Sequence, residues 1–355
     1  MERVSDSGSG AGVVLDTLDM WGATAALPDQ VERAASLVDA VDGHGLPDHD
    51  DVENVVVLGM GGSGIAGDVL AAVAGPFMPV PVVVSKGYEC PSFVGEGTLC
   101  FAISFSGNTE ETVEAAMEAA AAGAKMVVLS AGGQLAELAS QWGAPFIELP
   151  TDVPMPRAAL GSVAIPPLKV LEHIGLFPGA TGWIDEAVGQ LRRRRDQLAR
   201  EGSPAAVLAR AIDRTMPIIH GGGALGAVAA LRWKNQVNEN AKCPAFMAAH
   251  PELCHNDIAG WGQHGDATRQ VFTLVLLRHD HEHPQVLRRF DLVREMMEEV
   301  VAEIHEVRAE GEGALAQLFD LVLYGDYVSM HLATYAGIDP GPVPALDDLK
   351  RRLAE

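Results

Sequence analysis

The order of apolar segments predicts an α/β protein built on two doubly wound parallel sheets, and three observations carry that expectation. From Val55 onward, β-branched runs of strand length alternate with longer segments whose apolar residues recur at helical spacing. Alternation of this kind lays parallel strands under helices on both faces. A glycine-rich turn, "GMGGSG" at 59–64, joins the first strand to the first helix, and "HGGGALG" at 220–226 opens a second cycle on the same plan.

Residues 1–50 read as a helical entry, with Leu15, Leu18 and Met20, then Val31, Ala34 and Leu37, at helical spacing. Residues 51–150 hold the first sheet. Its strands are "VVVLG", "VPVVVSK", "LCFAISFSG" and "MVVLSAGG", its helices "IAGDVLAAVAG" and "ETVEAAMEAAAAGAK", and "GAPFIELP" adds a fifth strand. Residues 151–200 form a connecting segment, rich first in proline and then in arginine on the helix "EAVGQLRRRRDQLARE". Residues 201–355 carry the second cycle: strand "MPIIHGGG", helix "ALGAVAALRWKNQVNEN" and strand "VFTLVLLRH". A long amphipathic helix, "VLRRFDLVREMMEEVVAEIHEVRAEG", follows, and a last helix spans about 315–336.

With 355 residues, the chain is long enough for two domains that each bury a core. Its 25 basic and 48 acidic side chains give a net charge of −23, which repels nucleic acid and anionic membrane surfaces. An anionic ligand therefore needs a local, prearranged site. No apolar run reaches membrane-spanning length, and the N-terminus "MERVSDSGSGAGV" lacks the basic-then-apolar pattern of a signal peptide, so a soluble cytoplasmic protein is expected. Cys90, Cys100, Cys243 and Cys254 show no C-x-x-C spacing and read as reduced thiols.

The first loop matches the dinucleotide spacing Gly59-x-Gly61-x-x-Gly64. That fingerprint also requires an acid at the end of the next strand, where this chain has Ser85 and Lys86. A dinucleotide is disfavoured, and the absence of G-x-x-x-x-G-K-[ST] disfavours a nucleoside triphosphate. The stretch "AISFSGNTEET" is more informative. Read blandly, it is a well-made helix start, capped by Asn108 or Thr109 with Glu110 and Glu111 complementing the dipole. That reading leaves Ser104 and Ser106 idle. Ser104, Ser106 and Thr109 can instead converge with Ser63 and the backbone N–H groups of Gly61 and Gly62 on one phosphate monoester at the carboxyl edge of the sheet. The second glycine loop has no serine and leads to "RHDHEH", so only the first half is expected to hold an anion.

The pair "GMGGS" and "SFSGNTEET" resembles the sugar isomerase (SIS) domain, and the repeated second half resembles its double-domain members. The blocks "MPRAALG" (155–161), "WKNQVNENAKCPAF" (233–246), "PELCHNDIAGW" (251–261) and "IDPGPVPALDDLK" (338–350) extend the resemblance over nearly the whole chain, to the bifunctional phosphoglucose/phosphomannose isomerase family. The resemblance implies two SIS domains, each a mostly parallel five-stranded sheet flanked by helices. It also implies interconversion of glucose 6-phosphate, and mannose 6-phosphate, with fructose 6-phosphate through a cis-enediolate, without cofactor or metal. Glu239 would be the base that moves a proton between C2 and C1, and Arg157 the cation that stabilises the enediolate. His255 would open the sugar ring from the partner subunit of a homodimer, and Lys350 would reach the sugar hydroxyls.

In isolation each of these residues has a plainer reading: Glu239 as a solvated charge, His255 as one of twelve histidines, Lys350 as a complement to a helix dipole. Where the family has a hydroxyl residue, this chain has Gly341, and a threonine in that region is linked to mannose phosphate. The preference between glucose and mannose stays open on this ground. "HDHEH" (279–283) and the group His250, Cys254, His255 and His264 contain metal-ligating types, but adjacent histidines on a loop rarely converge on one ion. A phosphosugar sensor without turnover and an isomerase of a related hexose phosphate are the alternatives. A DNA-binding sensor would need a basic recognition helix that the first 50 residues do not show.

Overall fold

A computed structural model describes residues 15–41, 45–200 and 202–353. The expected helical entry forms α1 (Met20–Ala25) and α2 (Leu27–Ala35), while its first part, residues 1–14, lies outside the described residues. The first sheet is made of β1 (Asn54–Leu58), β2 (Val82–Ser85), β3 (Thr98–Ile103), β4 (Lys125–Ser130) and β5 (Phe146–Glu148), with α3 (Gly61–Val73), α4 (Glu110–Ala121) and α5 (Gly133–Trp142) between them. Its order is β2-β1-β3-β4-β5, and every pairing is parallel. All six residues of β3 are buried, as a strand covered on both faces requires.

Helices α6 (Leu160–His173), α7 (Ala180–Leu198) and α8 (Pro204–Ile212) lead to the second sheet. That sheet contains β6 (Met216–Gly222), β7 (Phe246–His250), β8 (Phe272–Arg278) and β9 (Glu303–Arg308), in the order β7-β6-β8-β9 and again all parallel. Its helices are α9 (Gly223–Asn240), α10 (Gly265–Val271) and α11 (Pro284–Met297), and α12 (Ala314–Ala336) and α13 (Pro344–Leu353) close the chain.

Two expectations are corrected here. The second sheet has four strands among the described residues, not five, because the chain turns after β9 into α12. The sequence of α12 is apolar on nearly all sides and is buried as a central helix against α7, α8 and α9. The expected long amphipathic helix also stops at Met297, and its last third is strand β9. Only Val307 in β9 is fully buried. The segment pairs with β8 from Thr273↔Glu303 to Arg278↔Arg308, which satisfies a backbone edge that local periodicity does not register.

A hydrophobic core runs continuously from α2 and the inner face of the first sheet through α6, α7, α9 and α12 to the inner face of the second. Two smaller clusters lie under the outer helices of each sheet. Two aspartates of α12 enter the core with partners: Asp320 with Arg194 at 2.8 Å, and Asp326 with Arg232 through two bonds of 3.0 and 2.8 Å. No helix among the described residues is long and apolar enough to cross a membrane.

Candidate active site

The order of the first sheet reverses at β1 and β3, because β2 follows β1 to one side and β4 follows β3 to the other. A crevice opens outside the carboxyl ends of strands at such a point. Two loops border it, Gly59–Gly62 after β1 and Ser104–Thr109 after β3. The first is tight because Gly59 and Gly64 touch: a Cβ on Gly64 would stand 2.6 Å from the Gly59 carbonyl oxygen. Gly62 packs as closely on the next element, since a Cβ there would stand 3.2 Å from Cα of Arg157.

The hydroxyls lace these loops together. Ser63 Oγ, nearly buried, accepts from the Phe105 amide at 3.1 Å and ties the first loop to the second. Ser104 Oγ, fully buried, accepts from the Gly107 amide at 3.2 Å and lies 2.8 Å from Thr109 Oγ1. Ser106 is exposed and accepts from the Asn108 amide at 3.2 Å. Thr109 stands at the N-cap of α4, yet its hydroxyl makes no bond to the helix. The N-terminus of α3 likewise has no side-chain cap. Two helix starts without side-chain caps therefore meet a set of hydroxyls, an arrangement that favours an anion.

Arg157 sits in a 3-10 turn, Pro156–Ala158, above Gly62. Only 3% of its surface is exposed. Its guanidinium donates from Nε to Asn240 Oδ1 at 2.8 Å and from Nη2 to the carbonyls of Pro340 and Gly341 at 2.5 and 2.7 Å. Nη1 is buried without a hydrogen-bond partner and faces Glu239 Oε2 at 3.7 Å, longer than a hydrogen bond. Burial lowers the guanidinium pKa, and the neighbouring Glu239 opposes that shift. Glu239, in the last turn of α9, keeps 30% of its side chain exposed. It is therefore one member of a close cation–carboxylate pair and not a fully solvated charge.

His255 and Lys350 are placed differently. His255 ends a 3-10 turn after β7, Lys350 lies on α13, and both are exposed. No side-chain hydrogen bond or ion pair joins either of them to Arg157, Glu239 or any other described residue. Sequence reasoning missed three participants. Asn240 is fully buried and receives Arg157 while donating to Ser329 Oγ at 2.9 Å. Lys242 donates to the carbonyls of Glu239 and Asp339, and the segment 339–341 supplies carbonyls to both cations. Their only signal was membership of the blocks "NENAK" and "IDPGPV".

Gly341 is packed against Leu18, three of whose side-chain atoms stand 2.9 Å from where a Cβ would be. A hydroxyl-bearing side chain at that position would displace the N-terminal segment. Among the described residues no three His, Cys, Asp or Glu side chains are grouped to hold a metal ion. In "HDHEH", His279 donates from Nε2 to the Gly222 carbonyl at 2.8 Å and Glu282 pairs with Arg278; Cys254 Sγ lies 3.6 Å from His250 Nδ1.

Comparison with known proteins agrees with this architecture. Residues 50–142 match the SIS domain, and residues 201–353 match the bacterial phospho-glucose isomerase C-terminal SIS domain. The bifunctional phosphoglucose/phosphomannose isomerase of Caldicellulosiruptor bescii is 35% identical over 333 residues, covering 93% of this chain and 97% of its own. That of Thermoplasma acidophilum is 33% identical over 302 residues, covering 85% and 90%. Among solved structures, the C-terminal domain of glucosamine-fructose-6-phosphate aminotransferase from Francisella tularensis shares the fold at a TM-score of 0.69, with 14% identity over 91% of this chain and 97% of that one. The chain belongs to the bifunctional phosphoglucose/phosphomannose isomerase family.

Proposed function

We propose that this isomerase interconverts glucose 6-phosphate and mannose 6-phosphate with fructose 6-phosphate at the crevice of the first sheet. The observation that carries the reading is the Arg157–Glu239 pair at 3.7 Å, with the backbone of Arg157 packed on Gly62 at the start of α3. The phosphate is received by Ser63, Ser104, Ser106 and Thr109 with the amides of Gly61 and Gly62. Neutral donors and helix starts hold a dianion there without a metal. His255, contributed by the partner subunit of a homodimer, opens the ring, and Lys350 reaches the sugar hydroxyls. The exposure of both in the single chain supports a role completed by a second copy.

In the open-chain aldose, the Glu239 carboxylate takes the proton from C2, and the electron pair forms the C1–C2 double bond of the enediolate. The buried Nη1 of Arg157, still with a proton to donate, faces the negative oxygen as it forms. The O2 hydroxyl proton passes to O1 and Glu239 returns its proton to C1, so that C2 becomes the carbonyl of the ketose and no atom is gained or lost. The protein acts as a cytoplasmic enzyme with no cofactor.

The test is turnover of fructose 6-phosphate by the purified protein with chelator present, with the glucose and mannose products resolved, beside Glu239→Gln. Both products should form, and the variant should lose about 10³-fold in kcat. Glucose 6-phosphate alone would remove the mannose half and direct attention to Gly341. Phosphosugar binding without turnover would replace the enzyme by a sensor.

A further inference from the structure

Lys242 lies beside Arg157 and Glu239 and has an unusual backbone. It follows the C-cap of α9 with φ +53°, a left-handed position that usually takes glycine. A long side chain kept in that conformation is expected to do something that glycine cannot. Its Nζ lies 2.8 Å from the Glu239 carbonyl, 2.9 Å from that of Asp339, 3.1 Å from that of Pro340 and 3.4 Å from that of Asn240. An ammonium has three protons, and backbone carbonyls take all of them. No proton is left to give to a substrate.

The Pro340 carbonyl is shared, since Arg157 Nη2 also donates to it. Two cations are thus held against one segment, with the carboxylate of Glu239 beside them. Burial and then the charge of Arg157 both push the Lys242 pKa down. The carboxylates of Asp339 and Glu239 oppose that shift, and two cations held so close stabilise further negative charge that forms next to them.

Resting on the isomerase reading above, we infer that Lys242 is a positioning residue: it clamps the end of α9 to the 339–341 segment, keeps Arg157 and Glu239 apart at their working distance, and adds a fixed positive field to the enediolate site. Without it, Arg157 is freer to close on Glu239 and quench the base.

The experiment uses Lys242→Gly, which removes the ammonium while relaxing the backbone, together with Lys242→Arg, which keeps the charge and the donors. Lys242→Gly should melt as the unaltered protein does and lose about 10²-fold in kcat, with KM changed less than about threefold. The acid limb of its kcat profile should move to higher pH, because a carboxylate with fewer cations nearby takes up its proton more readily. Added ethylammonium should restore part of the loss, and Lys242→Arg should retain most of the activity. A Lys242→Gly enzyme with normal kcat and an unmoved acid limb overturns the inference. So does a loss of kcat that leaves the acid limb in place and that ethylammonium does not repair, which would make Lys242 a structural link alone. No turnover by the unaltered protein would sink the isomerase reading itself, a result separable from both.

Discussion

Behind β1 and β3 the crevice is bordered by Ser63, Ser104, Ser106 and Thr109 and by two helix starts without side-chain caps. Behind β6 and β8, which hold the same places in the second sheet, the corresponding loop is filled by its own side chains. The Glu282 carboxylate, its side chain fully buried, accepts from the His279 amide and from Arg278 Nε, each at 3.0 Å. Arg278 lies over the Phe290 ring at 4.3 Å, and His279 reaches across to the Gly222 carbonyl. His283 caps α11 through its own ring, accepting from the Gln285 amide at 3.1 Å. Gly222 leaves no room either, since a Cβ there would stand 2.9 Å from Phe290 and 3.2 Å from Glu282. Two copies of one strand–loop–helix plan have thus diverged: one gathers hydroxyls where α3 and α4 begin, and the other supplies an internal carboxylate, Glu282. The lesson is that a repeated fold does not repeat a site, because the loops decide which charges are already satisfied.

The sharpest way to break the contrast is Glu282→Ala. Arg278 would remain buried with only Glu306 at 3.3 Å, and stability should fall by about 3 kcal/mol, read from the urea midpoint, while KM for fructose 6-phosphate stays unchanged. Binding of a second phosphosugar per chain by that variant would mean the second crevice is a blocked copy of the first.

Acid should separate the two sheets next. Burial pushes His220 down to about 3 and His250 down to about 4, and both lie in the second sheet, whereas residues 51–150 contain no histidine. Their folded values lie below the ordinary 6.5, so the unfolded chain takes up protons first. Stability is full above about pH 6.5 and is lost as pH falls toward 4, costing about 2 kcal/mol per histidine by pH 5. Hydrogen exchange at pH 5 should open β6 and β7 before β1 and β3, and His220→Gln should flatten the fall. Equal loss of protection in both sheets would contradict the assignment.

The smallest effect is expected at the hydroxyl loops of the first sheet. Ser63→Ala and Ser104→Ala should each raise KM about tenfold, close to 1.4 kcal/mol, with kcat nearly unchanged. An unchanged KM in Ser63→Ala would leave its hydroxyl only the task of holding the Phe105 amide.

Much of this was legible beforehand because it is local. The runs of β-branched residues placed every strand of the first sheet, and the glycine and hydroxyl loops marked its crevice. Strand β7 was not legible, because "FMAAH" is short and only weakly apolar, and β9 was hidden because "EIHEVR" acquires its conformation from β8. Arg157 and Glu239 were each proposed from a matched block, but no local pattern announces that residues 82 positions apart would face one another at 3.7 Å. Lys242 reads as an ordinary basic residue after a helix until its left-handed backbone and its carbonyl partners are seen.

The sequence by itself determined the parallel α/β plan, the two glycine loops and the presence of hydroxyls after β3, since hydrophobic period and turn chemistry act over a few residues. Only the tertiary structure decided that Glu282 closes the second crevice, that Leu18 packs against Gly341, and that Arg157, Asn240, Lys242 and the carbonyls of 339–341 form one electrostatic unit around Glu239. Those relations arise where burial forces distant polar groups to find partners, and which partners meet depends on how the helices pack against the sheets.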